Sequence, residues 1–132
     1  MELNVRRLQD EDYKTISQWW EKWGWPIIPK ENLPATGLMV EKNNISIVSC
    51  YIYITNSKGA LLEWIVSNPD YRDKDRMQAI KLLIIAAENM LKDQGITYIF
   101  SIGRNKNLIN THKKLGWLVD KDPSYEMTKV IN

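Results

Sequence analysis

Three places in this sequence could do chemistry. Glu63 sits in the run "ALLEWIVS", a carboxylate inside an otherwise apolar segment. Burying a charge without a purpose costs free energy. Burial would also raise its pKa toward that of a useful general base. The alternative is a side chain facing solvent on the open face of a sheet. His112, the single histidine, lies in "NKNLINTHKKLGW". An imidazole titrates near neutral pH and can donate a proton. Its alternative is a solvent-facing helix residue whose neighbours Lys113 and Lys114 disfavour the charged form. The third place is "NPDYRDKDRMQAIK", Asn68 to Lys81, dense in charge and free of glycine, just before a long apolar-periodic segment. A helix that starts there presents free N–H donors and a positive dipole end, which suits an anion. Asp73 or Asp75 could equally serve as the cap of that helix.

The elements that must hold these residues follow from periodicity. "LNVRRL" alternates as a first strand. "DEDYKTISQWWEKWG" reads as a helix with Asp10 as N-cap and Tyr13, Ile16, Trp20 and Trp23 at helical spacing, stopped by Gly24 and Pro26. Pro26, Pro29 and Pro34 stiffen the next segment as a loop. "GLMVEKNNISIVSCYIYIT" reads as two strands broken at "EKNN", and "GALLEWIVS" follows as another strand after the turn "NSKG". "DKDRMQAIKLLIIAAENMLKDQG" is the strongest helix. Met77, Ile80, Ile84, Ala87 and Leu91 form its stripe, Leu83 and Met90 widen it, and Gly95 closes it. "ITYIFSI" is a β-branched and aromatic strand, "NKNLINTHKKLG" a short helix, and "WLVD" and "YEMTKVI" are final strands. Strands joined by tight turns should pair antiparallel, and the pass through the long helix should be a right-handed parallel crossover.

Composition narrows the classes. With 132 residues, a single domain over residues 1–132 is expected. The net charge of +2 is spread along the chain without a basic cluster, which argues against nucleic acid as a partner. Cys50 is the sole cysteine; it has no intrachain disulfide partner and reads as a buried hydrophobe. One cysteine and one histidine do not make a zinc cluster, so no metal is expected. No apolar run is long enough for a signal peptide or a bilayer span, so no membrane association is expected and a cytoplasmic compartment fits best.

The element order, with "NPDYR" at the end of the "GALLEWIVS" strand, resembles the GNAT superfamily of acyl-CoA-dependent N-acyltransferases. The resemblance covers nearly the whole chain and is best from Leu61 to Trp117. It implies an α/β (α+β) fold: a mixed, mostly antiparallel sheet of six to seven strands flanked by helices, with splayed central parallel strands. It implies acetyl-CoA or another acyl-CoA as cosubstrate. In that family a loop of pattern Q/R-x-x-G-x-G/A wraps the pyrophosphate with backbone N–H groups, which places Arg72, Asp73, Lys74, Asp75, Arg76 and Met77 at the cofactor. Arg72 matches the pattern, whereas Asp73, Asp75 and Met77 stand where small residues are usual. The backbone of Ile65, Val66 and Ser67 would pair with the pantetheine arm. The second motif, N-x-x-A-x-x-x-Y-x-K-x-G-[FW] in loose form, is similar to "NKNLINTHKKLGW". It places Asn105 beside the cofactor, and His112 takes the place of the tyrosine that serves as general acid on the departing thiolate. Glu63 would deprotonate the acceptor amine.

"QWWEKWGWP" adds an aromatic front. Trp20 and Trp23 share a face with Ile16 and are expected in the core, while Trp19 and Trp25 are open between core and an aromatic wall for an apolar or cationic acceptor. The acceptor is then a small-molecule or protein amine, and exposed tryptophans or an exchanged last strand would make a homodimer. The missing loop glycines favour a second reading, a catalytically inactive GNAT-like module that binds a protein partner.

Overall fold

The computed structural model describes residues 2–132. The elements run β1 (Asn4–Arg7), α1 (Asp12–Trp23), a 3₁₀ turn (Lys30–Asn32), β2 (Gly37–Lys42), β3 (Ile45–Ile54), β4 (Gly59–Ser67), α2 (Arg76–Asp93), β5 (Tyr98–Phe100) and α3 (Lys106–Lys114). The chain forms two compact units, one ending at Ile102 and one spanning Gly103–Asn132.

The first unit holds a five-stranded sheet in the order β1-β2-β3-β4-β5. The first four strands are antiparallel neighbours, and β4 and β5, joined through α2, are parallel. Asn43 and Asn44 both take positive φ, at 54° and 65°. Asparagine tolerates that region, and two such residues make the tight turn that matches strand twist, so β2 and β3 fold back directly. On one face of the sheet Met39, Tyr51 and Val66 pack with Ile16, Trp19 and Trp20 of α1. Alternation sends Leu38, Val40, Val48, Cys50, Ile52 and Leu62 to the other face, all buried, and α2 packs on β2 and β3. The long helix buries Ala79, Leu83, Ile84, Ala87 and Leu91. The stripe is therefore rotated from the expected one. Met77 is exposed, and Ile80 and Met90 are only partly covered.

Each α-helix closes with a glycine in the left-handed region, Gly24, Gly95 and Gly116 at φ 79°, 80° and 94°. The following amide returns to the last turn each time, as in Ile96 N–H to the Leu91 carbonyl at 3.0 Å. The N-terminal signals are less regular. α1 is preceded by Glu11 rather than capped by Asp10, and the Asp12 carboxylate instead accepts the Gln9 N–H at 2.8 Å.

The expected six to seven strands reduce to five among the described residues. "WLVD" and "YEMTKVI" form no strand among the described residues, and "ITYIFSI" contributes only Tyr98–Phe100. Leu118, Tyr125, Met127 and Ile131 are each more than 80% exposed. Strand-like composition becomes a strand only where a neighbouring strand takes the backbone hydrogen bonds and a core takes one face. No described helix is long and apolar enough to cross a membrane.

Candidate active site

β4 carries the first group of residues. Opposite Tyr51 lies Glu63, but opposite Ser49 lies Val66, so Cys50 of β3 faces two residues of β4, Trp64 and Ile65. This bulge is held by Trp64 at φ 56°, a conformation bulky residues rarely adopt. The surroundings hold it there. The Trp64 indole donates to the Tyr53 hydroxyl at 3.2 Å and its ring lies 5.9 Å from that of Trp20.

Glu63 is 8% exposed, so the solvent-facing alternative is excluded. Its register partner Tyr51 belongs to the aromatic cluster under α1, which puts the carboxylate on that face. Burial, reinforced by the Asp12 charge, pushes the Tyr51 phenol up to about 12, so it remains a neutral neighbour.

Beyond the bulge the two parallel strands part. Pairing of β4 with β5 ends at Leu61 opposite Phe100, and β4 continues to Ser67 without it. Asn68 N–H donates to the Ile47 carbonyl at 2.7 Å. Ser67 is paired with Val48, one step back along the ladder. In an antiparallel ladder hydrogen-bonded and non-hydrogen-bonded pairs alternate. The N–H and C=O of Ser67 therefore point away from β3, toward the edge β5 has left. The Ser67 carbonyl there accepts the Trp23 indole N–H at 2.8 Å. Val66 buries its side chain, and Ile65 is partly buried.

The chain then enters the loop before α2. Asp75 occupies the N-cap position but makes no capping bond. Its carboxylate accepts the Lys42 ammonium at 2.8 Å and the Tyr71 hydroxyl at 2.6 Å. The expected aspartate cap is thus absent because a lysine from β2 and a tyrosine four residues back hold the carboxylate. Lys42 is the leading cause of Asp75 being kept below the usual carboxylate range, with Tyr71 second, and Asp75 in turn raises both partners. The Arg76 N–H is taken by the Asp73 carbonyl at 3.2 Å and the Ala79 N–H by the Asp75 carbonyl at 2.9 Å. The Met77 and Gln78 N–H groups have no partner among the described residues. Arg72, Asp73 and Lys74 are exposed, Arg76 is half-buried, and the Met77 side chain is at the surface. With Lys42 pairing Asp75, the positive side chains Arg72, Lys74 and Arg76 outweigh the one remaining carboxylate, Asp73.

Asn105 and His112 stand on α3 in the second unit. Asn105 is the N-cap, its Oδ1 accepting the Asn107 and Leu108 N–H groups at 2.8 and 3.2 Å. Only its Nδ2 amide is left to offer a ligand. His112 is 6% exposed, not solvent-facing, with its ring edge-on to Trp117 at 4.8 Å. Nδ1 lies 2.9 Å from the Leu108 carbonyl. A carbonyl only accepts, so Nδ1 carries the hydrogen, and in the neutral ring Nε2 keeps its lone pair. Nε2 is buried without a hydrogen bond.

Of the tryptophans, Trp19 and Trp20 are core at 5% and 0% exposure. Trp23, expected in the core, and Trp25 lie at the surface. Trp23 ends α1, beyond the sheet-covering turn of Ile16, Trp19 and Trp20, and its indole reaches the end of β4. Sequence reasoning did not find Trp23, Lys42 and Tyr71 as site residues. Tyr71 had a local signal in its four-residue spacing from Asp75; Lys42, 33 positions away, had none.

No protein-family model and no curated protein matches the sequence. Solved structures do match. A ribosomal-protein-alanine N-acetyltransferase from Brucella melitensis biovar Abortus 2308 superposes with a TM-score of 0.72 at 12% identity, covering 98% of this chain and 100% of that one. An aminoglycoside acetyltransferase from an uncultured soil metagenomic sample, solved with sisomicin, gives 0.70 at 12% identity, covering 98% and 97%. The PaiA N-acetyltransferase of Thermoplasma acidophilum, solved with coenzyme A, gives 0.65 at 19% identity, covering 93% and 94%. Together with the bulged, splayed β4 running into α2, these likenesses establish that the chain has the fold of the GNAT superfamily of N-acetyltransferases.

Proposed function

We propose that the protein transfers an acetyl or other acyl group from acyl-CoA to a primary amine. One observation carries this reading: the open edge of β4 leads directly to a helix start whose Met77 and Gln78 amides have no partner among the described residues. Acyl-CoA has a matching order of groups, an extended arm with two amides followed by a pyrophosphate. An extended chain with amides is bound by a free strand edge, and a pyrophosphate by helix-start amides with nearby cations. Ile65, Val66 and Ser67 would receive the arm. Arg72, Lys74 and Arg76, with the backbone of Asp73, Asp75 and Met77, would receive the phosphates; in the second unit, taken by itself, Asn105 has an Nδ2 amide to offer a ligand. Structures with this fold include enzymes named for a ribosomal-protein alanine and for aminoglycosides, which supports an amine acceptor.

Glu63 is the base in this reading. Its carboxylate takes a proton from the acceptor ammonium, directly or through one water, and the freed lone pair attacks the thioester carbonyl. The tetrahedral intermediate collapses with cleavage of the carbon–sulfur bond, leaving the amide and a CoA thiolate. The resemblance gives the thiolate's proton to His112 of the second unit. Nδ1–H is committed to Leu108, which leaves Nε2 as the nitrogen that would hand the proton over.

Release of free thiol from acetyl-CoA with a panel of primary amines tests the reading. Turnover should fall by about two orders of magnitude or more in Glu63→Gln, as expected for loss of a general base, with acetyl-CoA affinity retained. Turnover that survives both Glu63→Gln and His112→Phe removes both assigned roles. The absence of glycine from Asn68 to Lys81 favours a second reading, an inactive binding module acting through a protein partner. Failure to bind acetyl-CoA at millimolar concentration, with no turnover, decides for it.

A further inference from the structure

We propose that Trp23 is a gate on the acyl-donor groove, its indole standing in for the donor's arm at the Ser67 carbonyl. The inference rests on the acyl-CoA reading of the β4 edge and goes beyond it. The Ser67 carbonyl points to the side β5 has left, where an arm amide would have to donate. That carbonyl already accepts the Trp23 Nε1–H at 2.8 Å. An indole nitrogen is a donor only, as an arm N–H would be, so the two compete for the same acceptor.

The gate is built to open. Trp23 is the last residue of α1, 39% exposed, and Gly24 follows in the left-handed region at φ 79°. Among the described residues no ring stacks on it, in contrast to Trp20, which packs among Tyr13, Tyr51 and Trp64. The solvent-exposed pair of Lys22 Nζ with Asp70 Oδ2 at 2.9 Å also ties this helix end to the segment after β4. Swinging the indole out breaks its hydrogen bond to the Ser67 carbonyl. The same motion moves the Trp23–Trp25 corner, so donor binding and this aromatic surface are linked.

The test uses the full chain labelled with ¹⁵N. The Trp23 indole signal is assigned by its loss in Trp23→Phe, then followed during titration with acetyl-CoA and, separately, with 3′-phospho-ADP, the half of the cofactor that lacks the arm. The expected result is a displaced Trp23 signal with acetyl-CoA and an unmoved one with 3′-phospho-ADP. In Trp23→Phe, acetyl-CoA should bind about two- to tenfold tighter, the range of one net hydrogen bond, with 3′-phospho-ADP unchanged. Lys22→Ala should shift acetyl-CoA affinity in the same direction by less, and it reports on the gate even if the Trp23 variant folds poorly. Acetyl-CoA binding with the indole signal unmoved, or with equal or weaker affinity in Trp23→Phe, overturns the gate and leaves the acyl-CoA reading standing. No binding of either ligand to either protein overturns both.

Discussion

At the scale of single residues, the local environment fixes what each reactive group can do. Cys50 is fully buried, and burial pushes its thiol up to about 12. The thiolate is the reactive form, so a disulfide reagent at pH 8 should leave the native protein unlabelled and react with one thiol per chain after denaturation. Fast native labelling would contradict the packing of β3. Asp75 is the informative residue of the loop. Its carboxylate would oppose a phosphate, but Lys42 and Tyr71 hold it. Lys42→Met should release that negative charge and weaken acetyl-CoA binding several-fold, most strongly at low ionic strength, where exposed charges are least screened. A titration at two salt concentrations measures it. Unchanged affinity would mean that Asp75 does not face the phosphates.

At the scale of elements, the start of α1 is tied to the sheet by charge. Arg6 of β1 donates to Asp12 of α1 at 2.8 and 2.9 Å and to Glu41 of β2 at 3.0 Å. The Arg6 hydrogen bonds are the leading cause that lowers the Asp12 carboxyl below its ordinary value of 3.8. A carboxyl depressed by folding contributes stability that is complete above its unfolded pKa and is lost as pH falls through its folded one. Asp12→Asn should therefore cost about 1.5–3 kcal/mol at neutral pH, the range for hydrogen bonds to a charged group. The gap to the wild type should close as the solution is made more acidic than about pH 4. Urea midpoints of both proteins across that range check the sign, and a gap that widened in acid would refute it. The helix ends were legible because glycine is punctuation the backbone obeys: Gly24, Gly95 and Gly116 stand where the periodic patterns stop. The helix starts were less so. Asp10, Glu11 and Asp12, or Asp73 and Asp75, offer several equivalent carboxylates, and a distant partner such as Arg6 or Lys42 decides where each one turns.

At the scale of the whole molecule, donor binding should appear as stability. A ligand that binds only the native state at a hundred times its dissociation constant adds about 2.7 kcal/mol. For a chain of this size that is a rise in Tm of roughly 10 °C. Acetyl-CoA should produce it, and a flat Tm at every concentration would move the protein to the inactive-module reading. The fold by itself does not distinguish these two, since one scaffold carries many functions. They differ in whether the groove between the splayed strands can be occupied.

The sequence by itself determined the alternation of β2, β3 and β4, the Asn43–Asn44 turn, the long α2 and its junction with β4, because each rests on periodicity or on the φ preference of a few adjacent residues. It also singled out Glu63, but left its side chain open between core and solvent until the fold buried it. Tertiary structure decided what local pattern leaves open. "WLVD" and "YEMTKVI" carry strand composition but form no strand among the described residues, since a strand exists only through its neighbour. Trp23 has the spacing of a core residue yet sits at the surface on the Ser67 carbonyl, and His112, for which a solvent-facing place stood open, is buried. The glycine-free loop is the sharpest case. Its aspartates stand where small residues are usual, and only the fold shows that Lys42, far away in the chain, pairs with Asp75. That contact comes from the pairing of strands, and no property of the loop's own residues encodes it.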